Sequence, residues 1–319
     1  MKYLICYIIF PLVLLATSAN AYNNSDYSPI RADDTSYIAA QTNTKDNRPF
    51  NFAVNGDYIF KTNIKREHHN HLDWDHRKFQ YAEVFADAGM IFYYNECKKE
   101  GLGLTLEYSL VDFDFKTNPF FKQQYFHTGT LSLGGFTERF KRWTIKAQAA
   151  ANVDTHTWNF NEYLTLDFLL WGRYQLCKNI GFHTGFLIAT GMKIDRVYPI
   201  VGIDWQATKK LKINLVYPVD VSAVYQFNCN WSVSAAGRLI FSRHRASEHT
   251  WVPKSLFVYQ TAGGELGLNY DSKKWINANI HAGYTFSGRV TLADRHYHHK
   301  EHFRVDPSAY VGGEVELKF

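Results

Sequence analysis

The chain has 319 residues, a formal net charge of +5, 46% hydrophobic residues and 17% aromatic ones. Charges of both signs are interspersed with no basic block, which argues against a nucleic-acid surface despite a pI near 8.8. Mean hydropathy is −0.32, and no stretch beyond the N-terminal region approaches the roughly 18 apolar residues of a spanning helix, so a helical membrane protein is excluded.

Residues 1–21 read as a secretory signal peptide, with Lys2 as the positive end, Leu4 to Leu15 as the apolar stretch and Ala19-Asn20-Ala21 as the cleavage site. Residues 22–49 are polar, rich in Asn, Asp, Ser and Thr, and lack periodicity; they read as a flexible periplasmic lead-in. From residue 50 to residue 319 the pattern is regular. Phe50, Phe52, Val54, Gly56, Tyr58 and Phe60 alternate with Asn51, Ala53, Asn55, Asp57, Ile59 and Lys61. Such period-2 alternation places one set on each face of a strand.

Similar runs predict further strands near 81–94, 102–112, 125–136, 143–153, 162–175, 181–190, 197–206, 211–217, 219–227, 231–241, 256–269, 275–286 and 308–319. Their connectors alternate in length. Those at 95–101, 137–142, 176–180, 207–210, 228–230 and 270–274 are short, whereas on the other rim those at 61–78, 113–124, 242–255 and 287–307 are long, those at 154–161 and 191–196 intermediate and the link at Pro218 tight. Short turns on one rim and long loops on the other are the signature of a barrel in an outer membrane, and a soluble sandwich has no reason to sort its loops this way. The expected fold is therefore an all-β, transmembrane antiparallel β-barrel of about 14 strands, with 12 as the alternative. The weak point is 211–227, whose apolar residues keep one parity throughout. A turn near Tyr217–Asp220 with Pro218 restores two strands.

Hydrocarbon outside such a barrel requires an apolar exterior, so charged residues belong to the lumen. Parity assigns Glu83, Asp87, Glu107, Lys146, Asp167, Arg173, Asp204, Lys212, Arg238, Glu265 and His281 to that inner face. Phe92, Tyr94, Tyr174, Trp205, Tyr225, Trp231, Tyr270 and Trp275 gather beside the short turns, as a headgroup-level girdle does. Most histidines fall in long connectors: His68, His69, His71 and His76 in the first, and His296, His298, His299 and His302 in the last. Closure of the barrel makes these loops neighbours. They are candidates for a divalent metal site or for charge gain below about pH 6.5, with plain polar loops as the third reading. No other cofactor is expected. Of the four cysteines, Cys6 would leave with the signal peptide; Cys97, Cys177 and Cys229 all fall at short turns, an odd count that suggests a free thiol or bridges to other envelope proteins.

The alternating segment Ser308 to Phe319 ends on a bare aromatic. It resembles the terminal strand of bacterial outer-membrane barrels, in which the final Phe is the assembly signal that marks the chain for the barrel-assembly machinery. The stretches Tyr-Pro-Ile-Val-Gly-Ile-Asp-Trp (198–205), Leu-Val-Tyr-Pro (215–218) and Val-Tyr-Gln-Phe-Asn (224–228) resemble uncharacterised outer-membrane β-barrel proteins grouped as a domain of unknown function. That resemblance implies an outer-membrane location among its lipids, and no substrate or catalytic residue. The expected function is a porin-like channel for small polar solutes, with a structural or adhesive barrel as the alternative and an outer-membrane hydrolase less favoured. No His is followed two residues on by the Ser that barrel lipases use, and no enzymatic activity is expected.

Overall fold

The computed structural model describes residues 49–66, 77–115, 118–155, 160–272 and 274–319. The signal peptide, the polar lead-in and His68, His69, His71 and His76 lie outside the described residues.

Fifteen strand segments form one sheet: β1 Phe50–Arg66, β2 Arg77–Asn95, β3 Glu100–Asp114, β4 Tyr125–Thr137, β5 Trp143–Asp154, β6 Thr165–Cys177, β7 Ile180–Gly191, β8 Arg196–Gln206, β9 Leu211–Tyr217, β10 Asp220–Gln226, β11 Trp231–Arg245, β12 Leu256–Asp271, β13 Ile276–Ala293, β14 Glu301–Val305 and β15 Ala309–Lys318. From β1 through to β14 consecutive strands pair antiparallel, and β15 pairs with β13 and β1. β14 and β15 both lie between β13 and β1, so they are two segments of one stave and the barrel closes with fourteen. The seam is continuous from Asn51↔Lys318 to Ile59↔Tyr310, and Phe50 and Phe319 exchange backbone hydrogen bonds at its end.

Alternation sets the two faces of the wall. On β1, Phe50, Phe52, Val54, Tyr58 and Phe60 are 36–53% exposed, whereas Ala53, Asp57 and Ile59 are buried. The same exterior parity carries Leu102, Leu106, Leu131, Leu133, Leu166, Phe168, Leu170, Val197, Val201, Leu266, Ile280 and Phe286 around the circumference. A continuous apolar band of that extent far exceeds the patches that a water-soluble monomer exposes. No backbone edge remains at the seam, as hydrocarbon surroundings require.

The doubtful hairpin is present: β9 ends at Tyr217, Tyr217–Pro218 is a cis peptide, and β10 pairs back from Asp220↔Val216. Several boundaries differ from expectation. The connector at 287–307 is mostly strand, because β13 continues to Ala293 and pairs with β14, leaving a turn at 294–300. The connector at 242–255 shrinks to 246–255 as β11 runs to Arg245. The physical reason is a large interior core at this rim. Val290, Leu292, Phe303, Val305, Phe257 and Tyr259 are at most 2% exposed and hold these segments as wall. A short helix, α1 (Phe160–Tyr163), precedes β6, so that strand begins three residues later than the pattern suggested.

Candidate functional site: the barrel interior

The interior has two halves of opposite chemistry. Toward the short-turn rim, inward positions are Asn, Ser and charged. Asn55, Asp57, Ser222, Ser234, Arg238, Glu265, Asn269, Asn279, His281 and Glu314 line a polar cavity of about 390 Å³. At its inner end Arg238 of β11 crosses the lumen to donate from Nη2 to Asp57 Oδ2 on β1 (2.7 Å), while its Nη1 donates to Glu265 Oε2 (3.2 Å) and lies 2.9 Å from His281 Nε2. Tyr310 donates to the same Glu265 oxygen (2.8 Å), and His281 Nε2 lies 2.8 Å from Asp57 Oδ1. Buried charges need this density of partners, since an unpaired one costs several kcal/mol, of order 3–5 when a partner is removed.

A second network runs along the opposite wall. Trp171 Nε1–H donates to His183 Nδ1 (2.9 Å), which leaves Nε2–H to donate to Asp204 Oδ2 (2.7 Å). Arg173 holds the same carboxylate with two hydrogen bonds, from Nε at 2.6 Å and Nη2 at 2.8 Å. Lys146 Nζ sits 5.0 Å from the Trp171 ring centroid, a cation–π distance.

Glycines make room for both clusters. A Cβ on Gly312 would collide with Asp57 Oδ1 and His281 Nε2, and one on Gly181 with Asp204 Oδ2 and the Arg173 guanidinium. Small residues here are fixed by close approach of charged side chains.

Toward the long-loop rim the interior is apolar and packed. Ile59, Ile64, Phe79, Tyr81, Val111, Phe113, Phe121, Phe126, Phe257, Tyr259 and Phe303 are no more than 1% exposed. Rings meet across the barrel: Phe113–Phe257 centroids are 3.9 Å apart, and Phe79–Tyr259 and Tyr81–Tyr259 are each 5.0 Å apart. Phe115 and residues 118–124 fold over this core, with Phe115, Phe120 and Phe121 buried and Phe120 O accepting from Val252 N at 2.9 Å. Among the described residues the outer half of the lumen is filled by side chains.

The outer half of β11 divides this region. β10 pairs with β11 only up to Gly237, and β9 pairs with β8 only up to Val201. Above the β9–β10 turn, residues 196–200 and 238–245 therefore face a gap without backbone pairing. Side chains bridge it. Arg196 Cζ lies 5.3 Å from the Phe241 ring centroid, and Arg243 Nη1 donates to Ile194 O at 2.9 Å. The first core lies on one face of this segment; the second, built from Leu169, Trp171, Leu187, Tyr198, Ile200 and Val216, lies along the inner faces of β6–β9.

Of the other residues assigned to the lumen from parity, Glu83 is buried and accepts from Tyr81 Oη (2.7 Å). Asp87 and Glu107 stand opposite each other on β2 and β3. Asp167 accepts from Asn152 Nδ2 at 2.7 Å. Asp57, His183 and Tyr310 were missed as network members, although alternation puts Asp57 beside the other polar residues of β1.

The described histidines separate. His296, His298 and His299 lie in the 294–300 turn around Asp294, which accepts from the backbone N–H groups of His296 and His298 and contacts His299 Nδ1 at 2.9 Å. Partial desolvation of Asp294 opposes ionisation, but the His299 contact and those two N–H donors outweigh it and hold the carboxyl down at about 2. His302 is a strand residue, contrary to the loop position expected, and its Nδ1 bonds to Thr291 Oγ1 at 3.1 Å. Among the described residues no group of three His, Cys, Asp or Glu side chains is arranged to hold a metal ion. Cys97, Cys177 and Cys229 are exposed and unbridged at the short-turn rim; Cys177 is the last residue of β6 rather than a turn residue.

These features define a closed antiparallel β-barrel with an apolar exterior and a charged interior. The chain belongs to the family described as a domain of unknown function (DUF6268), whose model matches residues 94–318. An uncharacterized protein of Chlamydia pneumoniae is 27% identical over 192 residues, covering 59% of this chain and 60% of that protein. One from Chlamydia trachomatis serovar D is 22% identical over 192 residues, covering 60% of each. The match thus spans about 60% of the length of these relatives. Among solved structures, the COG4313 outer membrane channel from Pseudomonas putida F1 aligns with a TM-score of 0.49 at 7% identity, covering 93% of this chain and 100% of that one. The KdgM porin in complex with disordered oligogalacturonate aligns with a TM-score of 0.33 at 7% identity, covering 84% and 99%.

Proposed function

We propose that this protein is a bacterial outer-membrane barrel acting as a porin-like channel for small polar solutes, closed at its outer end in this conformation. The observation that carries the reading is the pairing of an all-round apolar exterior with a charged interior cavity of about 390 Å³. The short turns face the periplasm and the long loops face outward, following the general rule for such barrels. Passage requires the aromatic core around Phe113 and Phe257 to rearrange, so the channel opens rarely. No enzymatic role is assigned. Ser242 Oγ does lie 2.7 Å from His244 Nε2, but both are buried, and His244 stacks on Phe126 at 5.0 Å away from the cavity.

Planar-bilayer recording of refolded protein tests this. Wild type is expected to show infrequent, small openings, and Phe113→Ala with Phe257→Ala frequent ones. A wide, constantly open wild-type pore would remove the closure. Silence in both proteins would favour the second reading, a structural or adhesive barrel, which the packed outer core also supports.

A further inference from the structure

Above the apolar band, three adjacent staves place cations side by side on the exterior. Arg304 of β14 is directly opposite Lys65 of β1 and directly opposite Arg289 of β13. Residues opposite each other in an antiparallel pair share a face, and all three are exposed. With strands about 4.8 Å apart, the row spans roughly 10 Å of the outer wall. Lys78 of β2, opposite Asn63 and hydrogen-bonded to its Oδ1 at 2.8 Å, adds a fourth charge one rung away. The Asp306 carboxylate approaches Lys65 Nζ at 3.8 Å.

Like charges directly opposite on neighbouring strands destabilise a sheet. Here they occur on two successive pairings, where alternation leaves the exterior free to carry any polar residue. Immediately toward the membrane lie exposed aromatics of the same staves, Phe60, Tyr58, Tyr284 and Phe286, at 36–60%. A row of cations just outside an aromatic girdle stands at the depth of lipid headgroups.

We propose that Lys65, Arg289 and Arg304 form a docking site for a phosphomonoester-bearing lipid headgroup of the outer leaflet. Its acyl chains lie on the aromatic band below, and its phosphate accepts charge-assisted hydrogen bonds from the two guanidinium groups. This rests on the membrane reading above, and it adds a specific lipid to it.

Native mass spectrometry of the refolded full-length protein, released from micelles doped with lipid, tests the site. The probes are diphosphoryl lipid A, the same lipid after phosphatase treatment, and phosphatidylcholine. Wild type is expected to retain diphosphoryl lipid A over both others. The K65Q/R289Q/R304Q variant should retain it about tenfold less, with R304Q intermediate. K98Q/K99Q, altered at the opposite rim, should behave as wild type. Heat-modifiable migration identifies folded samples, and R304Q alone serves if the triple variant fails to fold. Equal retention by wild type and the folded variants would overturn the site, as would equal binding of the dephosphorylated lipid. Displacement of the lipid by inorganic phosphate at equal concentration would overturn it in favour of a free anion. Failure of wild type to insert into vesicles of any composition would remove the membrane reading and this site together. Insertion with indifference to the phosphates would remove the site alone.

Discussion

Arg238 is the residue on which the inner cavity turns, because its two terminal nitrogens hold carboxylates from different walls of the barrel. Replacing it with Met removes the cation and takes that partner from the Asp57 and Glu265 carboxylates. The expected cost is about 3–5 kcal/mol, the range for breaking a buried pair from one side. Urea unfolding in micelles, followed by the loss of heat-modifiable migration, measures it. A change within the scatter of exposed lysine variants would show that the cavity hydrates freely. Gly312 makes a separable prediction. Gly312→Ala keeps every charge but drives a methyl into the Asp57–His281 contact. It should lower the midpoint of the same transition, whereas Gly237→Ala, whose added carbon meets only ordinary contacts of 3.8–3.9 Å, should not.

At the level of elements, the outer half of β11 is held differently from the rest of the wall. Its edge toward β8 lacks a strand partner, so arginine side chains substitute for a hydrogen-bond ladder. Arg243→Ala should therefore loosen residues 238–245 selectively. Hydrogen exchange should speed up in that segment and remain unchanged in 231–237, which stays paired on both sides; uniform protection would sink this view of the segment as a partition. The 294–300 turn carries its own pH dependence. Asp294 has a folded pKa of about 2, below its ordinary value of 3.8, so its contribution is fully present above pH 4 and is lost as pH falls toward 2. Amide exchange at His296 and His298 should accelerate only in that acid window, and Asp294→Asn should remove the pH dependence. The three thiols belong to the short-turn rim at intervals of four, four and six staves, at least about 19 Å of wall at the usual strand spacing. A disulfide needs Cα atoms within about 7 Å, so a bridge inside one chain is excluded and any oxidation joins separate chains. Non-reducing electrophoresis after treatment with oxidised glutathione should show ladders that disappear when all three are changed to Ser. A purely monomeric product would refute envelope cross-linking.

On the scale of the whole molecule, one sheet does two jobs that the chain separates along its strands. The middle and short-turn portions alternate apolar-out and polar-in, whereas the outer ends reverse this to apolar-in and polar-out, as in Phe79-Gln80-Tyr81 or Val111-Asp112-Phe113, whose Phe, Tyr and Val side chains are buried in the interior. The first pattern makes an apolar-faced wall around a polar cavity. The second makes a domain-like core above it.

Alternation and connector length, both local properties, pointed to the barrel and to fourteen staves with twelve as the alternative, while the hairpin at Pro218 stayed the weak point, settled only by the pairing of β9 with β10. A strand shows its faces to its own sequence, and turn residues show their length. Parity also marked Glu83, Lys146, Asp204, Arg238 and Glu265 as inward-facing, because charge on the exterior of a membrane wall is too costly. The partners were not legible. Asp57 and Arg238 are 181 residues apart, and their meeting depends on the diameter and curvature that closure imposes. The aromatic closure was hidden for the same reason: alternating rows of Phe and Tyr read as strand, but only closure of the barrel brings Phe113 of β3 against Phe257 of β12. The cation row escaped notice because Lys65, Arg289 and Arg304 lie in stretches read as loop. Only pairing of β14 with β1 and β13 puts them on one face, since register between distant strands is set by closure and not by any single strand.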